Sequence, residues 1–257
     1  MVWDPAGGVL HATVLEGVDA VVHLAGETIA QRWTPAAKRR IRDSRVIGTR
    51  LIAETMARLD KGPRVLIVSS ATGYYGSRGD EWLDEGSAPG TDFLAEATGA
   101  WERAADAARA AGVRVVHVRT GLAMSPRGGA LAKLLTPFRF GVGGRLGDGR
   151  QWMSWIALDD LVAVFRFALD TDVLTGAVNA VSPSPVTNAE FTSTLARALS
   201  RPAVMTLPAI ALRALFGEMA VGTLLASQRA RPLVLERAGF RFAYPVLEDA
   251  LRHVLGR

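Results

Sequence analysis

The sequence predicts an α/β fold in which helices cover both faces of a parallel sheet. Three short apolar runs carry that expectation: residues 19–26 (DAVVHLAG), 64–70 (RVLIVSS) and 113–121 (VRVVHVRTG). Each is β-branched and ends in small residues, the pattern of strands buried on both sides. Helical segments separate them, and strand–helix–strand alternation implies right-handed crossovers between parallel neighbours.

The elements follow in order. Thr34 is a fitting N-cap, Pro35 suits a first helical position, and the helix should run to about Leu59. The second helix, DFLAEATGAWERAADAARAAG, places Leu94, Trp101, Ala105 and Ala108 on one face and should stop at Gly112. Beyond Gly121, residues 126–150 read as a long glycine-rich loop with one short helix. A helix capped near Asp159 and a strand in GAVNAVS follow. The TNAE tetrad, Thr187 to Glu190, is a capping box opening a helix to about Leu199. The last sixty or so residues read as mainly helical, with a short strand in GFRFAYP.

Composition removes several function classes. There are no cysteines, and the four histidines are scattered, so disulfides, thiolate metal sites and zinc are not expected. The net charge of +5 does not imply nucleic acid, because many arginines sit beside acids, as in Glu102-Arg103 and Asp106 to Arg109. The longest apolar segment, residues 207–226, is interrupted by Arg213 and Glu218 and is not read as a membrane span. Without a charged leader or signal core at the start, a cytoplasmic protein is expected.

Ligands of such sheets gather beyond the carboxyl ends of the strands. Those ends are Leu24-Ala25-Gly26-Glu27, Ser69-Ser70-Ala71 and Arg119-Thr120-Gly121, and their loops should meet at one crevice. Glu27 stands one residue past its strand and should face that crevice. His23, between valine and leucine, is read as a packed residue. Tyr74 and Tyr75 follow the second strand at once, and Trp152 and Trp155 are read as packing. The glycine cluster at 141–149 fails as a dinucleotide fingerprint, because Leu146 stands where the third glycine belongs. It is expected to be a substrate-side loop.

Taken together, VDAVVHLAG, SSATGYYG, WERAA, VVHVRTGLAMSPRGGAL and GRQWMSWIALDDL resemble the extended short-chain dehydrogenase/reductases. Within these, the chain is similar from end to end to a poorly characterised NAD-dependent epimerase/dehydratase-like family with a C-terminal domain of unknown function. The resemblance implies a Rossmann-like doubly wound parallel sheet, here lacking its first strands, plus a small mainly helical C-terminal substrate domain. It implies a partial NAD(P)-binding domain at 1–125, with 152–182 returning to it, and a substrate-side domain at 126–151 and 183–257. NAD or NADP, the latter slightly favoured, would lie against Leu24, Ala25, Gly26, Arg45, Ser69, Ala71, Arg119, Thr120, Gly121 and Leu122. Gly143, Gly144 and Gln151 would line the side of a small polar substrate.

In extended relatives a serine at the strand end orients the substrate, and a Tyr-x-x-x-Lys supplies the proton, the lysine lowering the tyrosine pKa. Ser70 matches that serine by one alignment and Ala71 by another. The Tyr-x-x-x-Lys positions hold Leu94 and Thr98, or Phe93 and Ala97. Ser70, Tyr75 and Glu27 are therefore the catalytic candidates, with Glu96 beside them, and a catalytically silent nucleotide-sensing or protein-interaction module is the alternative. Relatives also carry a Gly-rich strand–helix turn ahead of WDP. Its absence here suggests a truncated or mis-started chain, with an exposed sheet edge that a homodimer would cover.

Overall fold

The computed structural model describes residues 3–257. Its main sheet has four parallel strands: β1 (Ala20–His23), β2 (Val65–Ala71), β3 (Arg114–Thr120) and β4 (Gly176–Ala180), in the order β4-β3-β2-β1. Between β1 and β2 runs α1 (Pro35–Ala57), and between β2 and β3 runs α2 (Phe93–Arg103). Thr34 accepts the amide of Ala37, and Pro35 occupies the first turn, as its sequence context predicts.

Strand alternation divides the core. Leu66, Val68 and Val115 face α1 and α2, meeting Ile52, Ala53, Met56 and Trp101. Ile67, Val116 and Val118 face the other way, onto Val164 and Ala168. Each such large aliphatic side chain contributes roughly 1.5–3 kcal/mol by leaving water. The second of the expected helices is in fact broken: Ala104 and Ala105 close tight turns to Trp101 and Glu102, and a short helix, Asp106–Ala110, follows. The bend keeps Ala105 and Ala108 buried against the sheet.

A second core holds the C-terminal part. Helix α3 (Gly129–Arg139) supplies Leu131, Leu135 and Phe138. It is longer than the short helix expected within 126–150. Next in the chain is α4 (Leu158–Asp170), which begins one residue before the expected cap because Trp155–Ala157 pairs as a strand with Leu122–Met124. Helix α5 (Asn188–Leu199) opens on the capping box of Thr187 and Glu190 and adds Phe191 and Leu195. Then come α6 (Ala209–Phe216) and α7 (Leu247–Val254), the latter contributing Leu247 and Leu251. Among the described residues, no helix is long and apolar enough to cross a membrane.

The strand expected in GFRFAYP is absent. Phe240 instead stacks edge-on with Phe242 at 4.8 Å and with Phe167 of α4 at 5.3 Å. The amides a strand would have paired are taken by the buried carboxylate of Asp160, which accepts from Ala243 at 2.8 Å and Tyr244 at 3.0 Å. Replacing Asp160 by Ala leaves two amides without acceptors and should cost about 2 kcal/mol. Urea unfolding of the variant against the parent measures this, and an unchanged midpoint would refute the role.

Candidate functional site

Parallel pairing sets the carboxyl ends of the strands side by side. His23 stands opposite Val68, Ser70 opposite Arg119, Ala71 opposite Thr120, and Asn179 opposite Arg119. The first tip is an open lip: Leu24, Ala25 and Gly26 are exposed, and Leu24 keeps 61% of its surface. Arg45 lies beneath it, donating to the carbonyls of Glu27 and Ile41, both at 2.9 Å. A methyl group on Gly26 would meet the Arg45 guanidinium at 3.1 Å, so the glycine lets the cation close against the turn. Glu27 is half-buried; its amide is held by Ser44 and its carboxylate accepts from Gln31 at 3.1 Å. Ser69, Ala71, Thr120, Gly121 and Leu122 are half-buried at the two central tips.

On the α2 side of these tips lies a polar row that spans three strands. Ser70 donates to Glu102 Oε1 at 2.7 Å, and Arg119 grips both oxygens of Glu102 at 2.8 Å. Arg119 also donates to the Tyr75 hydroxyl at 3.1 Å, and that hydroxyl donates to Asn179 at 2.7 Å. The Arg119 guanidinium stacks on Tyr74, 3.5 Å from the ring centre. Burial works against the charge on both Arg119 and Glu102, but their paired hydrogen bonds and opposite charges prevail, raising the first pKa and lowering the second. Burial pushes the Tyr75 phenol up to about 12, against the pull of Arg119 and Asn179. Glu85 closes the row at the outer strand by accepting the amides of Asn179 and Val234; burial raises its pKa.

This row holds three of the expected site residues, Ser70, Tyr75 and Arg119. The structure brings the three together, buried and hydrogen-bonded through Glu102 and Asn179. The Tyr75 side chain is buried, and its raised pKa disfavours the phenolate near neutral pH. Ser70 points to α2, while its neighbours Ser69 and Ala71 face the opposite side of the strand. Leu94 and Thr98, at the Tyr-x-x-x-Lys positions, flank Gly73; a methyl there would touch Leu94 at 3.4 Å. Glu96 is exposed in the first turn of α2.

The expected substrate residues make close contacts of their own. A methyl on Gly143 would strike the Phe138 ring at 2.5 Å, and Gly144 lies against the backbone of Met205, its partner in a strand pair. The buried Gln151 amide donates to the carbonyls of Leu146 and Leu224, both at 3.0 Å. The glycines in this stretch serve close packing.

A cleft of about 510 Å³ opens elsewhere. Its walls are the turn after β2 (Tyr75 to Arg78), the approach to α2 (Pro89 to Phe93), Trp33, and Glu218, Val221 and Gly222 from the C-terminal part. Lys38 and Glu218 clasp its two sides with an ion pair, and Trp33 meets Phe93 edge-on at 5.1 Å. Glu102, Asn179 and Glu85 were missed by sequence reasoning. The available signal was Arg119 itself, since an arginine inside an apolar strand requires a buried acid.

Comparisons with known proteins accord with this architecture. Residues 7–180 match the model of the NAD dependent epimerase/dehydratase family, and residues 207–254 match a domain of unknown function (DUF1731). The chain is 46% identical to an epimerase family protein of Mycobacterium bovis over 99% of this chain and 84% of that protein. It superposes on the crystal structure of human epimerase family protein SDR39U1 (isoform 2) with NADPH with a TM-score of 0.89 and 33% identity, covering 95% of this chain and 83% of that one. A nucleoside-diphosphate sugar epimerase from Corynebacterium glutamicum is similar at TM-score 0.82 and 39% identity, over 99% of this chain and 49% of that one.

Proposed function

The chain belongs to the NAD dependent epimerase/dehydratase family, and from that premise we propose that it binds NADP(H), in preference to NAD(H), and exchanges hydride with a small polar carbonyl or carbinol compound. The observation that carries the reading is the alignment of three strand tips, with a cleft of about 510 Å³ opening beyond the turn that follows β2. The residues fit the ribose and nicotinamide half of such a cofactor. Ala25 and Ala71 carry only a methyl group, so a flat ring can approach the backbone there. The human relative's NADPH supports the preference for the phosphorylated form.

The bound nicotinamide would supply or accept the hydride. The chain's own part is to hold the lip open with Arg45, to position the substrate in the cleft, and to handle the proton. For that last role Glu27 is our choice: of the acid–base candidates, it alone stands half-buried at a strand tip, with Gln31 as its side-chain partner. The cleft's aromatic pair, Trp33 and Phe93, would shield the reacting atoms from water.

Titration of the protein with NADPH and NADH, followed by nucleotide fluorescence, tests the reading. Saturable binding, tighter for NADPH, is expected. Ala25 is exposed, so Ala25→Glu should leave folding intact while weakening binding about tenfold through repulsion of the cofactor phosphates, an effect of about 1.4 kcal/mol. No fluorescence change with either nucleotide would overturn the proposal. Binding without turnover by any carbonyl compound would favour a nucleotide sensor, the reading to which Leu94 and Thr98 at the proton-relay positions point.

A further inference from the structure

We propose that the face built by the end of α3, the strand Met205–Leu207 and α6 seats on the surface of an anionic phospholipid bilayer. Apolar exposure concentrates there. Phe140 keeps 79% of its surface, Val204 82%, Ile210 78% and Leu215 64%. The segments that carry these residues adjoin. Strand Gly144–Leu146 pairs in parallel with Met205–Leu207, and Gly147 donates to the Leu207 carbonyl at 2.8 Å. At the other end of the pair, a methyl on Gly141 would touch Pro202 at 3.6 Å. The two stretches therefore run alongside each other, and Pro208 leads directly into α6. A soluble monomer rarely leaves a clustered apolar patch of this kind without a use for it.

Charge selects the occupant. Residues 127–147 and 191–217 contain no aspartate or glutamate at all. Within them Arg139, Arg201 and Arg213 are exposed, and each adjoins the apolar patch in sequence. Exposed apolar side chains fringed by cations suit a leaflet whose headgroups are negative: the side chains enter the acyl boundary while the guanidinium groups hold phosphates. A second copy fits less well, because two-fold pairing of this face would bring the same unneutralised arginines together. The net charge of +5 acts in the same direction at longer range. Seating on a surface needs no spanning helix.

Sedimentation of the full chain with vesicles decides the matter. The chain should partition onto vesicles of phosphatidylcholine mixed with phosphatidylserine, bind those of phosphatidylcholine alone far less, and be released by salt. Replacing Arg139, Arg201 and Arg213 together by Gln should weaken binding about a hundredfold, at about fivefold for each charge. Ile210→Ser should weaken it as well, with the melting temperature retained because the side chain is exposed. Equal binding to neutral vesicles, or none to either kind, overturns the proposal. So does a concentration-dependent dimer that Ile210→Asp dissolves, which would give the face to a second copy. Should a variant fail to fold, the salt series on the parent chain still discriminates.

Discussion

Arg119→Ala is expected to destabilise the protein by about 3–5 kcal/mol, the cost of leaving a buried carboxylate without its partner. That is a large share of the 5–15 kcal/mol or so that holds a typical domain together. The side chains of Arg119 and Glu102 are 4% and 12% exposed, so water cannot replace what is removed. Truncation strands Glu102 and takes one of two partners from the Tyr75 hydroxyl. The matched pair Arg119→Met with Glu102→Leu removes both charges and should recover most of the loss. A residue of about 1 kcal/mol would remain because Ser70 loses its acceptor. Urea unfolding of the single and double variants gives the coupling directly. A single variant as stable as the parent would show that the row contributes nothing to the fold.

How much of this was legible beforehand depended on the range of the interaction. The strands β1, β2 and β3 were visible as apolar β-branched runs, and the caps at Thr34 and Thr187 as local chemistry. Such signals need only neighbours in the chain. Gly239 to Pro245 misled because its alternation of aromatic residues mimics a strand, while its amides are claimed by Asp160, some eighty residues earlier. Gly143 and Gly144 read as a substrate-side loop because glycine reports close approach without saying to what; in the structure they approach Phe138 and Met205.

The candidate site shows the same limit. Ser70, Tyr75 and Arg119 do come together, so their proximity was readable from parallel strand ends. Their hydrogen-bond partners were not, because Ser70 faces α2 and meets an acid, Glu102, that the sequence places 32 residues away. Strand parity contains part of the answer: Ser70 and Arg119 lie in one cross-strand row, and two neighbouring buried polar groups demand a partner from the helix above. The cleft was invisible, since its walls come from segments near positions 33, 76, 90 and 220.

Mild acid should unfold the protein more steeply than carboxylates alone would require. Two histidines are buried neutral in the sheet. His23 Nε2 has no hydrogen-bond partner among the described residues, with Trp3 edge-on 6.0 Å away, and burial lowers its pKa to about 4. Burial also lowers His117 to about 4, with Arg109 and Arg119 disfavouring a further positive charge while Glu102 and Asp106 favour it. Arg109 approaches His117 Nε2 at 3.1 Å, a contact that suits an unprotonated nitrogen. In the unfolded chain both rings return to about 6.5. Between these values the unfolded state holds protons that the folded state refuses, so stability falls as pH drops through 6.5 and levels off below about 4. Each ring accounts for about 3 kcal/mol over that window, and the pair for a slope of about 2.5 kcal/mol per pH unit near pH 5. Glu102 adds a loss at lower pH, because its depressed pKa lets the folded state shed stability only as that carboxylate protonates. Glu85 opposes it: its raised pKa favours folding in acid and loses that contribution as pH rises through the folded value. Urea unfolding at a series of pH values from 7 to 4 measures the slope, and His117→Gln should cut it by about half. A parent protein whose unfolding free energy stays flat between pH 6.5 and 5 would mean that both rings take up their protons without leaving the folded sheet.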